Sequence, residues 1–253
     1  MSEQRAQARR RAARRGRDQH FLRSGRLAAE LVRNAGVTRD DLVLEIGGGS
    51  GRLTIELARA AGRVIVVEVD RIWARRLAER FHGDSRVTVV AADGLDLTLP
   101  EGPFRMVANL PFGQTTAFLR RLLDDPAVPL ERADVVVEWG SALKRAAVWP
   151  STLLGVTWGA WWTFRIDRRL AAACFEPPPA VDAGVLVVER RRPPLVPVPA
   201  RDAYAEFVRR GFEHGLRAVA TARQTRRIAR RAAPRDLDAH QWAELFHAVR
   251  SSR

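Results

Sequence analysis

The chain has 253 residues, is 46% hydrophobic and carries a net charge of +14, and this length allows one α/β domain and a smaller second one. Its single cysteine, Cys174, excludes an internal disulfide and a cysteine-based zinc cluster, and we predict no metal site. The uncharged residues 146–162 are interrupted by a proline and two glycines, which argues against a transmembrane helix and a membrane partner. The single cysteine fits a reducing compartment, and we expect a cytoplasmic protein.

The positive charge is concentrated at the two ends of the chain. Residues 1–17 hold seven arginines against one acid and lack apolar periodicity, which predicts a disordered basic arm. Residues 201–253 hold twelve arginines against six acids. This distribution is typical of a protein that binds a polyanion, although a solvated helix face remains an open interpretation of the second group. The arginines that we expect to contact this polyanion are Arg9, Arg10, Arg11, Arg14, Arg15, Arg223, Arg226, Arg227 and Arg230.

The first half of the chain predicts a strand, a glycine turn and a helix in immediate succession. An apolar strand over Leu42–Ile46 is followed by the glycine-rich residues 47–51, and helical spacing resumes over residues 53–60. Glycines permit close approach of the backbone to a ligand, and the helix N-terminus faces that ligand. The next strand, residues 64–68, ends in Glu68, which can accept hydrogen bonds from both hydroxyls of a ribose.

Two further strands end in polar residues. A strand over residues 87–90 leads to Asp93, and a strand ending at residues 106–108 leads to Asn109. The glycine turn, Glu68, Asp93 and Asn109 therefore follow four successive strands. The carboxyl ends of parallel strands lie at one edge of a sheet, where ligands bind. Together with a helix over Thr115–Leu123 and a strand over residues 134–137, this recurrence predicts an α/β fold with a parallel sheet.

The tetrapeptide at residues 109–112 suggests what the site does. Pro111 fixes its own φ and favours an extended Leu110, which directs the Asn109 side chain and the Leu110 carbonyl past the strand end. Two such acceptors suit an exocyclic amino group, and Phe112 offers a face on which a base can stack, worth about 1–3 kcal/mol. A simple strand-to-loop turn with a core phenylalanine is the alternative for the tetrapeptide alone.

Two ligands compete for this site. A dinucleotide would use the glycine turn and Glu68, but it gives no reason for the tetrapeptide, and the glycine spacing is not GxGxxG. S-adenosylmethionine has a ribose, an adenine and a sulfonium methyl group but no phosphate. Asp93 can accept from its adenine amino group, and Asn109 lies where the methyl group meets an amine. We therefore predict S-adenosylmethionine as the cofactor.

The second half of the chain is less specific. Residues 156–166 alternate well enough to predict strands, with three tryptophans in the core. A proline-rich loop leads from Phe175 into a strand over residues 183–188, and Phe175 either faces the bound base or packs in the core. The proline-containing residues 190–199 predict a hinge, and helical periodicity follows over residues 200–250.

Taken together, five motifs resemble the erythromycin-resistance (Erm) family of rRNA adenine N6-methyltransferases over about residues 15–190. They are QHFL at 19–22, EIGGGSG at 45–51, the acids Glu68 and Asp93, NLPF at 109–112 and FEPPPAV at 175–181. The basic arm and the run FGQTTAFLRR at 112–121 look more like the resistance enzymes than the housekeeping small-subunit enzymes. His20 stands where the family typically has asparagine, and Phe112 replaces a tyrosine.

The resemblance implies a fold and a set of site residues. The expected architecture is α/β, a Rossmann-like class I S-adenosylmethionine-dependent methyltransferase domain over residues 18–192, with a small α-helical RNA-binding domain over residues 193–253. The implied cofactor contacts are His20, Leu22, Gly47, Gly49, Gly51, Glu68, Asp93 and Asn109. The implied catalytic residues are Asn109, Leu110, Phe112 and Phe175.

The implied reaction is mono- or dimethylation of one adenine in 23S rRNA, which blocks macrolide, lincosamide and streptogramin B binding. The expected enzyme is a monomer that acts on the unassembled or partly assembled large subunit. Two alternatives remain open from the residues: a housekeeping small-subunit (16S) rRNA adenine dimethyltransferase, and a non-catalytic RNA-binding descendant. A protein or DNA amino-methyltransferase is disfavoured because the related motif there usually has proline in place of Leu110.

Overall fold

A computed structural model describes residues 20–228 and 232–251, without the side chain of Arg227. The predicted basic arm over residues 1–17 and the predicted contact residue Arg230 lie outside the described residues.

The described residues form nine strands and nine α-helices. The strands are β1 (Phe21–Leu22), β2 (Leu42–Ile46), β3 (Arg63–Glu68), β4 (Val87–Ala91), β5 (Phe104–Asn109), β6 (Leu130–Glu138), β7 (Trp162–Leu170), β8 (Phe175–Glu176) and β9 (Ala183–Arg190). The helices are α1 (Gly25–Ala35), α2 (Arg52–Ala60), α3 (Arg71–Arg80), α4 (Thr115–Leu123), α5 (Trp139–Ala146), α6 (Leu153–Gly159), α7 (Arg201–His214), α8 (Ala222–Ile228) and α9 (Ala239–Arg250).

Seven strands form one sheet in the order β4-β3-β2-β5-β6-β9-β7. Strands β2 to β6 pair in parallel, while β9 pairs antiparallel with both β6 and β7. In register, Ile46 pairs with Val67, Glu68 with Ala91 and Asn109 with Val136. The carboxyl ends of the parallel strands therefore lie along one edge, as the sequence predicts.

The central parallel strands β2, β3, β5 and β6 are largely buried because helices cover both faces of the sheet, whereas the edge strand β4 is only partly buried. Side chains alternate along a strand, so Val43 and Leu44 enter the hydrophobic clusters on opposite faces. Val64, Val66 and Val67 of β3 are all at most 1% exposed. This two-sided burial explains why the strands read as continuous apolar runs rather than as alternating ones.

The prediction of strands over residues 156–166 is half wrong. Residues 162–166 lie in strand β7, as predicted, but residues 156–159 belong to helix α6. Thr152 caps this helix by accepting a hydrogen bond from the Gly155 amide at 3.0 Å. Val156 and Trp158 of α6 are at most 1% exposed. The helix is therefore apolar on more than one side and shows no helical period. The three tryptophans, Trp158, Trp161 and Trp162, are buried, which confirms their prediction as core residues.

The C-terminal helices α7, α8 and α9 lie where the periodicity predicts them. They share a core with the sheet domain, because Tyr204 and Trp242 join the same hydrophobic cluster as Trp158. The segment predicted as a hinge is packed at its centre: Val196 is fully buried and its carbonyl accepts a hydrogen bond from Trp161 Nε1 at 2.7 Å. No helix among the described residues is both long enough and apolar enough to cross a bilayer.

Candidate active site

A cleft opens at the carboxyl edge of the parallel strands. Residues from all four predicted positions line it: Gly47 and Gly49 after β2, Glu68 at the end of β3, Asp93 after β4, and Asn109 at the end of β5. The predicted convergence of these four groups is confirmed. His20 and Phe21 complete the lining from the N-terminal side, since β1 pairs with β8 beside the cleft.

The glycine turn has a backbone that other residues rarely adopt. Gly47 has φ 78° and Gly49 has φ 47°, both in the left-handed region. A Cβ on Gly49 would lie 2.4 Å from Cε1 of Phe21, so only glycine allows this ring to lie over the turn. The Gly49 amide donates to Glu68 Oε2 at 2.8 Å, which ties the turn to the end of β3.

Glu68 is 3% exposed and both of its carboxylate oxygens accept backbone hydrogen bonds. Oε2 accepts from Gly49 and Oε1 accepts from the Asp70 amide, each at 2.8 Å. A carboxylate oxygen has two lone pairs, so each oxygen retains one for a ligand. Glu68 is therefore held rigidly and can still accept hydroxyl groups from the cleft.

Asp93 lies in a tight turn after β4. Its Oδ1 accepts from the Leu95 amide at 3.1 Å, and its carbonyl accepts from the Asp96 amide at 3.0 Å. The Ala92 amide donates to the Glu68 carbonyl at 3.1 Å, which fixes the turn against β3. The carboxylate of Asp93 is thereby positioned on the cleft wall next to Glu68.

Asn109 has one satisfied and one unsatisfied side-chain atom. Nδ2 donates to the His20 carbonyl at 2.7 Å, whereas Oδ1 is buried and has no hydrogen-bond partner among the described residues. The His20 carbonyl can only accept, so this contact fixes the orientation of the amide. A buried unpaired acceptor costs about 1–3 kcal/mol. A ligand with an N–H group could satisfy Oδ1 at this position.

The rest of the tetrapeptide shapes the cleft beside Asn109. The Leu110 amide donates to the Val136 carbonyl at 3.0 Å, which holds the peptide against β6. Phe112 is partly exposed and lines the cleft, with its ring centroid 5.7 Å from that of His20. His20 Nδ1 donates to the Pro177 carbonyl at 2.8 Å, which places the ring proton on Nδ1.

The cleft fits S-adenosylmethionine. Glu68 offers lone pairs for a ribose, Ile46 and Val67 form an apolar wall, and Asn109 Oδ1 is an unsatisfied acceptor at the same cleft. A family model for ribosomal RNA adenine dimethylases matches residues 10–237. The chain belongs to the ribosomal RNA adenine dimethylase family. It is thus an rRNA adenine N6-methyltransferase that uses S-adenosylmethionine.

Individual relatives agree with the family. The rRNA adenine N-6-methyltransferase of Corynebacterium diphtheriae is 34% identical over 77% of this chain and 75% of its own length. The mycinamicin-resistance protein MyrB of Micromonospora griseorubida is 33% identical over 92% of this chain and 78% of its own length. The crystal structure of the 23S rRNA methyltransferase ErmE is 28% identical and superposes with a TM-score of 0.79, covering 91% of this chain and 99% of ErmE.

Three residues that the resemblance assigns to the dimethylase site do not line the cleft in this structure. Phe175 is fully buried and presents no face to a base; its ring instead packs edge-on against Phe112, with centroids 6.2 Å apart. Leu22 is 4% exposed, and its side chain packs in the same cluster as Phe175. Gly51 caps α2 with φ 78° and donates its amide to the Gly48 carbonyl at 2.8 Å. Contact of these three residues with a cofactor or a base stays a prediction.

Phe21 is an aromatic cleft residue that the sequence reasoning did not assign to the site, although it lies within the motif at residues 19–22. It lies over the glycine turn, and its ring centroid is 5.2 Å from that of Trp73 in α3. Its strand has two residues, and its partner Glu176 is 155 residues away. A strand this short has no measurable alternation, so the motif at residues 19–22 and its apolar pair were the signals available for this segment.

The predicted RNA contacts are only partly described. Arg223 and Arg226 are exposed on α8. Helix α8 includes Arg227, whose side chain is not described, while Arg230 and the five arginines of the arm lie outside the described residues. Contact of these residues with RNA stays a prediction.

Glu45 lies in β2 just before the glycine turn, and it should make the free energy of unfolding of the protein depend on pH. Burial, together with the nearby charge of Glu68, raises the pKa of Glu45 from its ordinary 4.5 to about 8. Between these values the folded state holds a proton that the unfolded state has released, so stability falls as pH rises. We expect a loss of up to about 1.4 kcal/mol per pH unit relative to Glu45→Gln between about pH 5 and 8.

Urea unfolding of the wild-type protein and Glu45→Gln at pH 5.5, 6.5, 7.5 and 8.5 measures this difference. Most other titrating groups are common to both proteins, so their contributions largely cancel in the comparison. A difference that stays constant across this range would show that Glu45 ionises normally.

Proposed function

We propose that this protein methylates N6 of one adenine in 23S rRNA and thereby confers resistance to macrolide, lincosamide and streptogramin B antibiotics. The observation that carries the amine chemistry is the buried, unpaired Oδ1 of Asn109 at the cleft. The 23S target is supported by the similarity to ErmE, a 23S rRNA methyltransferase, and resistance by the similarity to MyrB, a mycinamicin-resistance protein.

Residues around the glycine turn would hold the cofactor. Glu68 would accept the ribose hydroxyls with the lone pairs that its backbone partners leave free, and Asp93 would accept from the adenine amino group. Gly47 and Gly49 allow the backbone to approach the ligand, and His20 borders the site next to Asn109. When bound, S-adenosylmethionine supplies an electrophilic methyl group on a positive sulfonium.

The protein activates the substrate amine with acceptors rather than with a strong base. The N6 lone pair of adenine is delocalised into the ring, which makes the nitrogen a poor nucleophile. Asn109 Oδ1 accepts one N6 hydrogen and the Leu110 carbonyl accepts the other, and this localises the lone pair as the nitrogen becomes tetrahedral. The surplus proton leaves to solvent after transfer. Most of the rate enhancement then comes from positioning and electrostatic stabilisation.

The target base must leave its stack to reach Asn109. Unstacking costs a few kcal/mol, and less in a single-stranded loop. Phe112 offsets this cost with its exposed face, while Phe175 supports Phe112 from below. The exposed arginines Arg223 and Arg226 bind phosphates of the same strand. We further propose that the enzyme acts in the cytoplasm, as a monomer, on the unassembled or partly assembled large subunit.

Mass spectrometry of rRNA fragments tests the target directly. Cells that express the wild-type gene are expected to carry mono- or dimethyladenine at one additional position in 23S rRNA and none in 16S rRNA. Cells that express Asn109→Ala serve as the control, and drug susceptibility is read in parallel. A new methyl group in 16S rRNA would favour the housekeeping dimethyltransferase instead. No new methylation in either rRNA would favour the non-catalytic descendant.

A further inference from the structure

A second concave surface lies away from the cleft, between α5, α6, β7 and the start of α9. We call it the junction pocket, because it joins the sheet domain to the C-terminal helices. The part of its wall that β7 forms begins at Trp162, which pairs with Arg190 at the C-terminal end of β9. Ala183, at the other end of β9, pairs with Glu138 at the carboxyl end of β6, where the cleft lies. The junction pocket is therefore near the sheet edge opposite the cofactor.

Arg145 lines the junction pocket as a buried cation without a counter-charge. Its relative exposure is 9%, and it has no hydrogen-bond or ion-pair partner among the described residues. Its guanidinium lies 5.3 Å from the ring centroid of Trp158. Burial, with repulsion from Arg120, lowers the pKa of Arg145, which shows how poorly the protein itself compensates this charge. A buried charge of this kind favours binding of an anion.

The other charged groups of the junction pocket leave it positive. Arg191 donates Nε to the Gly159 carbonyl at 2.8 Å, and His240 is exposed in the first turn of α9. Asp238 is the one carboxylate among the described lining residues, and its Oδ1 caps α9 by accepting from Gln241 at 2.9 Å.

Trp149 forms the exposed wall of the same pocket. It is 59% exposed, and its Nε1 donates to the Asp236 carbonyl at 3.2 Å. The loop that carries Trp149 makes a second hydrogen bond to residues 235–236, in which the Ser151 amide donates to the Arg235 carbonyl at 2.9 Å. The indole is thus anchored by its edge while much of its surface stays open to solvent. An anchored, open aromatic ring beside a buried arginine suits a base and its phosphate.

We propose that the junction pocket binds one unpaired nucleotide of the rRNA substrate, distinct from the target adenine. Its base stacks on Trp149, and its phosphate binds Arg145 and Arg191. This inference rests on the proposed function in so far as RNA is the substrate, and it holds for either rRNA. An apolar protein segment could pack on the exposed Trp149 without any use for a buried positive charge. The uncompensated charge of Arg145 therefore favours a nucleotide as the occupant.

Steady-state methyl transfer on in-vitro transcribed 23S and 16S rRNA tests this proposal, using whichever transcript the wild-type enzyme methylates. Trp149→Ala and Arg145→Gln are expected to raise the KM for RNA at least fivefold while kcat changes less than twofold. Trp149→Phe should retain most of the affinity because it keeps an aromatic face. Leu143→Ala is the matched control, since Leu143 is 47% exposed on α5 and does not line the junction pocket.

Three further readouts separate the possible failures. Equal thermal midpoints and equal calorimetric affinity for S-adenosylmethionine show that the variants are folded and that the cleft is intact. An unchanged KM in both Trp149→Ala and Arg145→Gln would overturn the junction pocket. So would an effect seen only on ribosomal particles and not on naked RNA, because it would indicate a protein partner. Methylation of 16S instead of 23S rRNA would contradict the proposed function and leave this test valid.

Discussion

Replacing Asn109 with alanine is expected to lower kcat for methyl transfer by at least 100-fold while RNA binding stays measurable. The side-chain Oδ1 is the unpaired acceptor of the cleft, and loss of one such preorganised group typically costs about 10²–10³ in rate. Because the arginines that we expect to bind RNA lie elsewhere, affinity for the transcript should change little. Single-turnover methylation and filter binding on the same RNA measure the two quantities.

The matched substitution is Asn109→Asp, which keeps an oxygen acceptor but loses the Nδ2 donor. The His20 carbonyl, 2.7 Å from Nδ2, would then face a carboxylate oxygen, and the segment that carries His20 and Phe21 should loosen from the cleft. We therefore expect Asn109→Asp to weaken cofactor binding, whereas Asn109→Ala mainly slows the chemical step. Asn109→Ala with kcat within tenfold of wild type would exclude the acceptor mechanism.

The sheet and its binding edge were predictable because the polar residues Glu68, Asp93 and Asn109 lie at the end of a strand or shortly after it. Glu68 ends β3 and Asn109 ends β5, so the strand boundaries and the site residues are the same positions in the sequence. Parallel pairing then brings them together regardless of their separation along the chain. The sequence also indicates helix α1, since Leu27, Leu31 and Val32 mark one helical face and Gly36 follows as a C-cap; in the structure Gly36 ends the helix with φ 64°.

Contacts between distant short segments were not predictable in the same way. The pairing of β1 with β8 involves two residues from each strand, and it decides that Leu22 and Phe175 enter the core while Phe21 lines the cleft. A motif match identifies such residues as a set but does not give the face on which each one lies. Helix α6 was not predicted for another reason. Val156 and Trp158 are both buried, so the helix has no polar face that would show a helical period in the sequence.

Removing the charge of Glu68 is expected to weaken S-adenosylmethionine binding by about 100-fold. In Glu68→Gln, one side-chain oxygen would have to serve both the Gly49 and the Asp70 amides, which Oε2 and Oε1 now satisfy separately at 2.8 Å. The new NH2 group would face an N–H donor instead. Hydrogen bonds to charged groups contribute about 1.5–3 kcal/mol each, and 1.4 kcal/mol corresponds to a factor of ten in affinity.

Isothermal titration calorimetry with S-adenosylmethionine measures the affinity of Glu68→Gln, and Asp96→Asn is the matched control. Asp96 is an exposed acid near the same sheet edge that does not line the cleft, so its variant loses one charge without losing a ligand contact. Because Glu68 also fixes the glycine turn, the variant should bind with a less favourable enthalpy as well as a lower affinity. Affinity within threefold of wild type would mean that the ribose is not held by Glu68, and the cofactor would then have to lie elsewhere in the cleft.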